Sequence, residues 1–106
     1  IQGLSEGVAL GKKSNLNMNK VLDAISGGAA QSWQMDNRFK SMVNSEFDFG
    51  FAVDLMIKDL KIALNHSNDL GIKLPSTKSI LQNYKKLSTL GDGGLDTSSL
   101  IKLLEK

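Results

Sequence analysis

The sequence predicts an all-α fold, a single domain of about six helices over residues 1–106. Apolar residues recur at helical spacing through most of the chain, and capping residues and glycine or proline stops punctuate those stretches. No segment alternates with period two, and no tight turn separates β-branched runs. The first helix shows the pattern immediately, with Ile1, Leu4 and Val8 on one face, and runs to about Lys13 before Ser14 and Asn15. Asn17 is placed to cap a second helix, with Leu16 before the cap and Val21 after it spaced as a hydrophobic staple. Gly27-Gly28 ends that helix through the positive φ that glycine tolerates. Residues 29–45 read as one interrupted or two short helices carrying Trp33, Met35, Phe39, Met42 and Val43, followed by a bend over 46–50.

A long amphipathic helix is expected over 51–70. Val53, Leu55, Met56, Leu60, Ala63 and Leu64 form its apolar arc, and Asp54, Lys58, Lys61 and Asn65 its solvated side. Asp59 stands apart from the other polar residues. It projects from the margin of the apolar arc, near the line through Phe51 and Leu55, where a carboxylate needs hydrogen-bond donors, a cation or a wet cleft. The structural alternative is a hydrogen bond to a neighbouring helix end. Gly71 stops the long helix, and Pro75 opens the next at a position where its missing N–H is harmless. Ile80, Leu81, Tyr84 and Leu87 give that helix a buried stripe, and Gly91 closes it. Asp96 caps a last short helix carrying Leu100, Ile101, Leu103 and Leu104.

Composition narrows the function classes. A net charge of +2, with thirteen basic residues spread along the chain, leaves no electrostatic footprint for nucleic acid. No apolar run approaches the ~20 residues that span a bilayer. Cysteine is absent, so no disulfide framework or thiolate metal site is expected, which fits a reducing compartment. The chain opens within a helix and without Met, which reads as a fragment that has lost an N-terminal portion.

Other candidate chemistry is weaker. Gly91-Asp92-Gly93-Gly94 follows a helix rather than a strand, and Asp92 would repel a phosphate, so a helix-connecting loop is the better reading. His66 is the only histidine, and it lies two turns from Asp59, roughly 10 Å along the axis, so no metal or general-base site is assigned to it. Trp33 is read as a core aromatic, with a ligand pocket as the alternative. Lys58 has an ordinary explanation in an ion pair with Asp54, four residues earlier in the favoured orientation.

The order of several short motifs carries more. Glu6-Gly7-Val8-Ala9-Leu10, Phe49-Gly50-Phe51, Lys58-Asp59-Leu60, Gly71 with Leu74-Pro75, Tyr84, Gly91-Asp92-Gly93 and Asp96-Thr97-Ser98 follow one another across the whole chain. In that order and spacing they resemble the C-terminal helical domain of the β-hydroxyacid dehydrogenases. This group contains 3-hydroxyisobutyrate dehydrogenase and has a helical domain like that of 6-phosphogluconate dehydrogenase.

The resemblance implies an NAD(P)-dependent oxidoreductase interconverting a small 3-hydroxy acid and its semialdehyde. NAD or NADP would be held mainly by an N-terminal Rossmann domain outside this chain. The family's catalytic lysine would fall before Ile1, so none of Lys12, Lys13 and Lys20 takes its role, and the isolated fragment should be inactive. The position matching Lys58 is associated with the nicotinamide end of the cofactor, that matching Asp59 with active-site hydrogen bonding, and that matching Phe51 with an aromatic closing the substrate pocket. Partners implied are the hydroxy acid, the chain's own Rossmann domain, and further copies in a homodimer or homotetramer, with no nucleic acid or membrane. The implied compartment is the cytoplasm, or the mitochondrial matrix in a eukaryote. A noncatalytic helical interaction module is the competing class, and a small helical ligand carrier a third.

Overall fold

Local sequence signals set most helix ends in the computed structural model, which describes residues 1–105. Five α-helices follow in order: α1 (Gln2–Lys13), α2 (Met18–Ile25), α3 (Trp33–Asn44), α4 (Val53–Asp69) and α5 (Pro75–Leu87). A π-helical turn, Ser88–Asp92, continues α5, and a 3₁₀ helix, Thr97–Leu103, ends the described chain. The only β feature among the described residues is an isolated antiparallel bridge between Ala52 and Asp96. The Asn17 side chain caps α2 by accepting from the Lys20 N–H at 3.2 Å. Gly71 (φ 69) and Gly91 (φ 94) take the left-handed conformations that their stop positions require, and Pro75 opens α5.

Three local expectations change. Residues 29–45 hold one uninterrupted helix, started by the Ser32 hydroxyl accepting from the Met35 N–H at 3.0 Å and ended by Ser45 at φ 57. The α2 exit needs no positive φ at Gly27 or Gly28, because Ser26 stays in the right-handed region and donates back to the Leu22 carbonyl. Trp33 is not a core residue. It is 60% exposed, with the Arg38 guanidinium 5.0 Å above its ring.

The chain forms two compact units, Ile1–Phe47 with the segment from Ser98 onward, and Asp48–Thr97. In the first, α1 packs on α2 and α3, and its buried residues include Val8, Phe39, Met42, Leu100 and Ile101. Gly11 lets α1 approach α2 closely, since a Cβ there would lie 2.9 Å from the Met18 side chain. The Lys12 ammonium pairs with Glu105 and donates to the Val43 carbonyl at 3.3 Å.

In the second unit α4 packs along α5. Leu81, Tyr84 and Leu87 are buried as their stripe predicts, while Ile80, the first of it, is half-buried. The Tyr84 hydroxyl donates to the Thr97 carbonyl at 3.2 Å. Burial first, and then the Asp96 charge, push the Tyr84 pKa well above the ordinary tyrosine value. The folded state therefore keeps a proton that the unfolded chain releases near pH 10. The associated stability is complete below that pH and is lost as pH rises above it. Tyr84→Phe is expected to cost about 1 kcal/mol at neutral pH, from the lost hydrogen bond, and to flatten the decline in denaturant midpoint between roughly pH 9.5 and 11. Equal alkaline slopes in the two proteins would contradict this.

Candidate functional site

The amino end of α4 is built by a segment forty residues further along the chain. Ala52 occupies the cap position and supplies no side-chain bond. The first two helical N–H groups, of Val53 and Asp54, instead donate to the Leu95 and Gly93 carbonyls at 2.9 and 3.0 Å. Just upstream, the Phe51 N–H donates to Asp96 Oδ1 at 2.9 Å, and the Phe51 carbonyl accepts from the Thr97 N–H at 2.9 Å. Residues 93–97 thus clasp residues 51–54. The glycine-rich loop spends its carbonyls on the donors that a phosphate at this helix end would require, so it is a structural loop.

The same clasp explains Gly93 and redirects Asp54. A Cβ at Gly93 would overlap the Asp54 carboxylate, which accepts from the Ser88 hydroxyl at 2.6 Å. Asp54 therefore does not make the expected pair with Lys58. Lys58 Nζ lies 3.1 Å from Asp59 Oδ1 instead.

The strip proposed from sequence is open to solvent. Phe51 is 37% exposed, Leu55 is 46% exposed, and the Asp59 and Lys58 side chains are 49% and 61% exposed. Of the apolar arc on α4 only Val53 is buried; Met56, Leu60 and Leu64 are half-buried, and Leu55 and Ala63 are exposed. The penalty that singled out Asp59 is consequently not incurred within this chain. Its carboxylate has a cation for a partner and water around it, a surface arrangement contributing at most about 1 kcal/mol. The buried carboxylate is Asp96, fully enclosed. Sequence reasoning assigned Asp96 only a capping role, since its bond to Phe51 spans 45 positions and leaves no local trace.

His66 lies exposed on α4. A cleft of about 400 Å³ opens in the first unit, lined by Leu4, Val8, Ile25, Met35 and Phe39 among others. A second, of about 390 Å³, lies where α4 ends and α5 begins, lined by Leu64, Ser67, Ile72, Lys73 and Lys78 among others. Phe51, Lys58 and Asp59 line neither. With Leu55 they form instead an aromatic and aliphatic surface with an ammonium and a carboxylate beside it. That set can hold a small polar ligand by hydrogen bonds against an apolar face.

Residues 1–104 match the family described as NAD-binding of NADP-dependent 3-hydroxyisobutyrate dehydrogenase. The chain belongs to this family. It is 46% identical over 106 residues to an uncharacterized oxidoreductase of Shewanella frigidimarina, covering 100% of this chain and 36% of that protein. It is 38% identical over 104 residues to a probable 3-hydroxyisobutyrate dehydrogenase-like protein, mitochondrial, of Arabidopsis thaliana, covering 98% of this chain and 31% of the relative. The crystal structure of 3-hydroxyisobutyrate dehydrogenase from Salmonella typhimurium superposes with a TM-score of 0.88 at 26% identity, over 96% of this chain and 36% of that one. The chain thus spans about a third of the length of these relatives. The family resemblance read from the motifs is borne out by the family match, and the all-α class read from the helical spacing by the helices among the described residues.

Proposed function

We propose that this chain is the helical, substrate-side part of an NAD(P)-dependent dehydrogenase that interconverts a small 3-hydroxy acid, of the 3-hydroxyisobutyrate type, and its semialdehyde. The match of residues 1–104 to the dehydrogenase family carries the reading, and the open Phe51–Leu55–Asp59 strip with Lys58 beside it supports it. A bound nicotinamide would supply the hydride chemistry. The residues of this chain bind and orient. The Lys58 ammonium donates a hydrogen bond at the nicotinamide end, Asp59 keeps that ammonium aimed along the strip and accepts from donors in the cleft, and the Phe51 ring closes the pocket and excludes water.

The proton donor lies outside these 106 residues. Lys12 does not replace it, because its ammonium is held by Glu105 and the Val43 carbonyl. The dinucleotide is held mainly by an N-terminal Rossmann domain, which also sets the choice between NAD and NADP. The whole protein assembles as a dimer or tetramer in the cytoplasm, or in the mitochondrial matrix of a eukaryote.

The test compares full-length protein with the 106-residue chain in NAD(P)-linked oxidation of 3-hydroxyisobutyrate and related hydroxy acids. Turnover by the full-length protein and none by the chain is expected. Turnover by the chain alone would overturn the division of labour. A second reading, a noncatalytic interaction module, draws support from the exposed Leu10, Leu70, Ile72 and Leu90. An inert full-length protein that still associates through this domain would favour it.

A further inference from the structure

We propose that Asp96 is a positioning residue for the substrate pocket, holding Phe51 in place from behind; the inference rests on the reading of Phe51 given above. Phe51 precedes the first turn of α4, so the helix itself does not fix it. It follows Gly50, whose φ of 75 turns the chain sharply into the site. Between that turn and the helix, the Phe51 peptide groups are tied on both sides, the N–H to Asp96 Oδ1 and the carbonyl to the Thr97 N–H, each at 2.9 Å. The ring meanwhile stays 37% exposed. The backbone is anchored and the aromatic face is presented.

The anchor is an unusual choice of residue. Asp96 is fully buried, where a carboxylate is costly unless well supplied with donors. Its Oδ1 makes a directional, charge-assisted bond with the Phe51 N–H. The neighbouring Leu95 and Gly93 carbonyls hold the next two N–H groups, so the register of Leu55, Lys58 and Asp59 follows from the same clasp. A substrate-contacting ring displaced by about 1 Å is enough for a loss of up to roughly a hundredfold.

The experiment uses the full-length enzyme carrying Asp96→Ala, Asp96→Asn or Phe51→Ala, with KM for the hydroxy acid, kcat and thermal midpoint measured for each. Asn keeps one oxygen to accept from Phe51, whereas Ala keeps none. Asp96→Ala is expected to raise KM roughly tenfold or more, as Phe51→Ala does, with a smaller change in kcat, while Asp96→Asn stays within about threefold of wild type. If the Ala protein does not accumulate, Asp96→Ser, whose hydroxyl is too short to reach the Phe51 N–H, takes its place with the same expectation. Should Phe51→Ala raise KM while Asp96→Ala lowers only the thermal midpoint, Asp96 is merely structural and the inference is overturned. An unchanged KM in Phe51→Ala would instead remove Phe51 from the pocket, and the inference with it.

Discussion

Lys58→Ala in the full-length protein is expected to lower kcat/KM by about ten- to a hundredfold, the loss of the one charge-assisted hydrogen bond proposed for it at the cofactor. Thermal stability should barely change. The Lys58 side chain is 61% exposed, and its only described ion pair is with the equally solvated Asp59. Activity and stability therefore separate at this residue, which distinguishes a binding lysine from a structural one. Asp59→Ala should depress activity in the same sense by leaving the ammonium unguided. Wild-type kinetics in both variants would remove this face of α4 from the site.

The largest stability effect is expected in the buried stripe of the second unit. Leu87 is fully buried in the last turn of α5, beside the stripe of Leu81 and Tyr84. Leu87→Ala should cost about 2–5 kcal/mol, a large share of the roughly 5–15 kcal/mol that holds a domain together. Ile62 on α4 is 59% exposed, and Ile62→Ala should stay within about 0.5 kcal/mol of wild type. Denaturant midpoints of the two variants read this contrast. A large loss at Ile62 would mean that the chain covers this face of α4 in solution.

The helices were legible because their signals are local. Asn17, Gly71, Pro75 and Gly91 each act within a turn of themselves, and the buried stripe of α5 follows from spacing alone. What escaped the sequence is what acts across the chain. The Asp96 bond to Phe51 spans 45 positions and the Ser88 bond to Asp54 spans 34, so neither partner could be read from its neighbours. Periodicity tells which face of α4 is apolar, but not what covers it. For this reason azimuth alone did not reveal that Asp59 is half-exposed, with the Lys58 ammonium as its cation. Trp33 failed similarly, since size and apolarity suggested a core position and Arg38 instead stacks on an exposed ring. The family was legible from the order of short motifs, none of them specific alone.

The proposed contact between the α4 strip and the cofactor is read most directly by amide hydrogen exchange in the full-length protein with and without saturating NADH or NADPH. Exchange across residues 51–62 is expected to slow when the cofactor binds, while residues 70–80, at the far end of α4 and the start of α5, stay unchanged. Bound cofactor with no slowing across 51–62 would contradict the placement of Phe51, Lys58 and Asp59 at the nicotinamide.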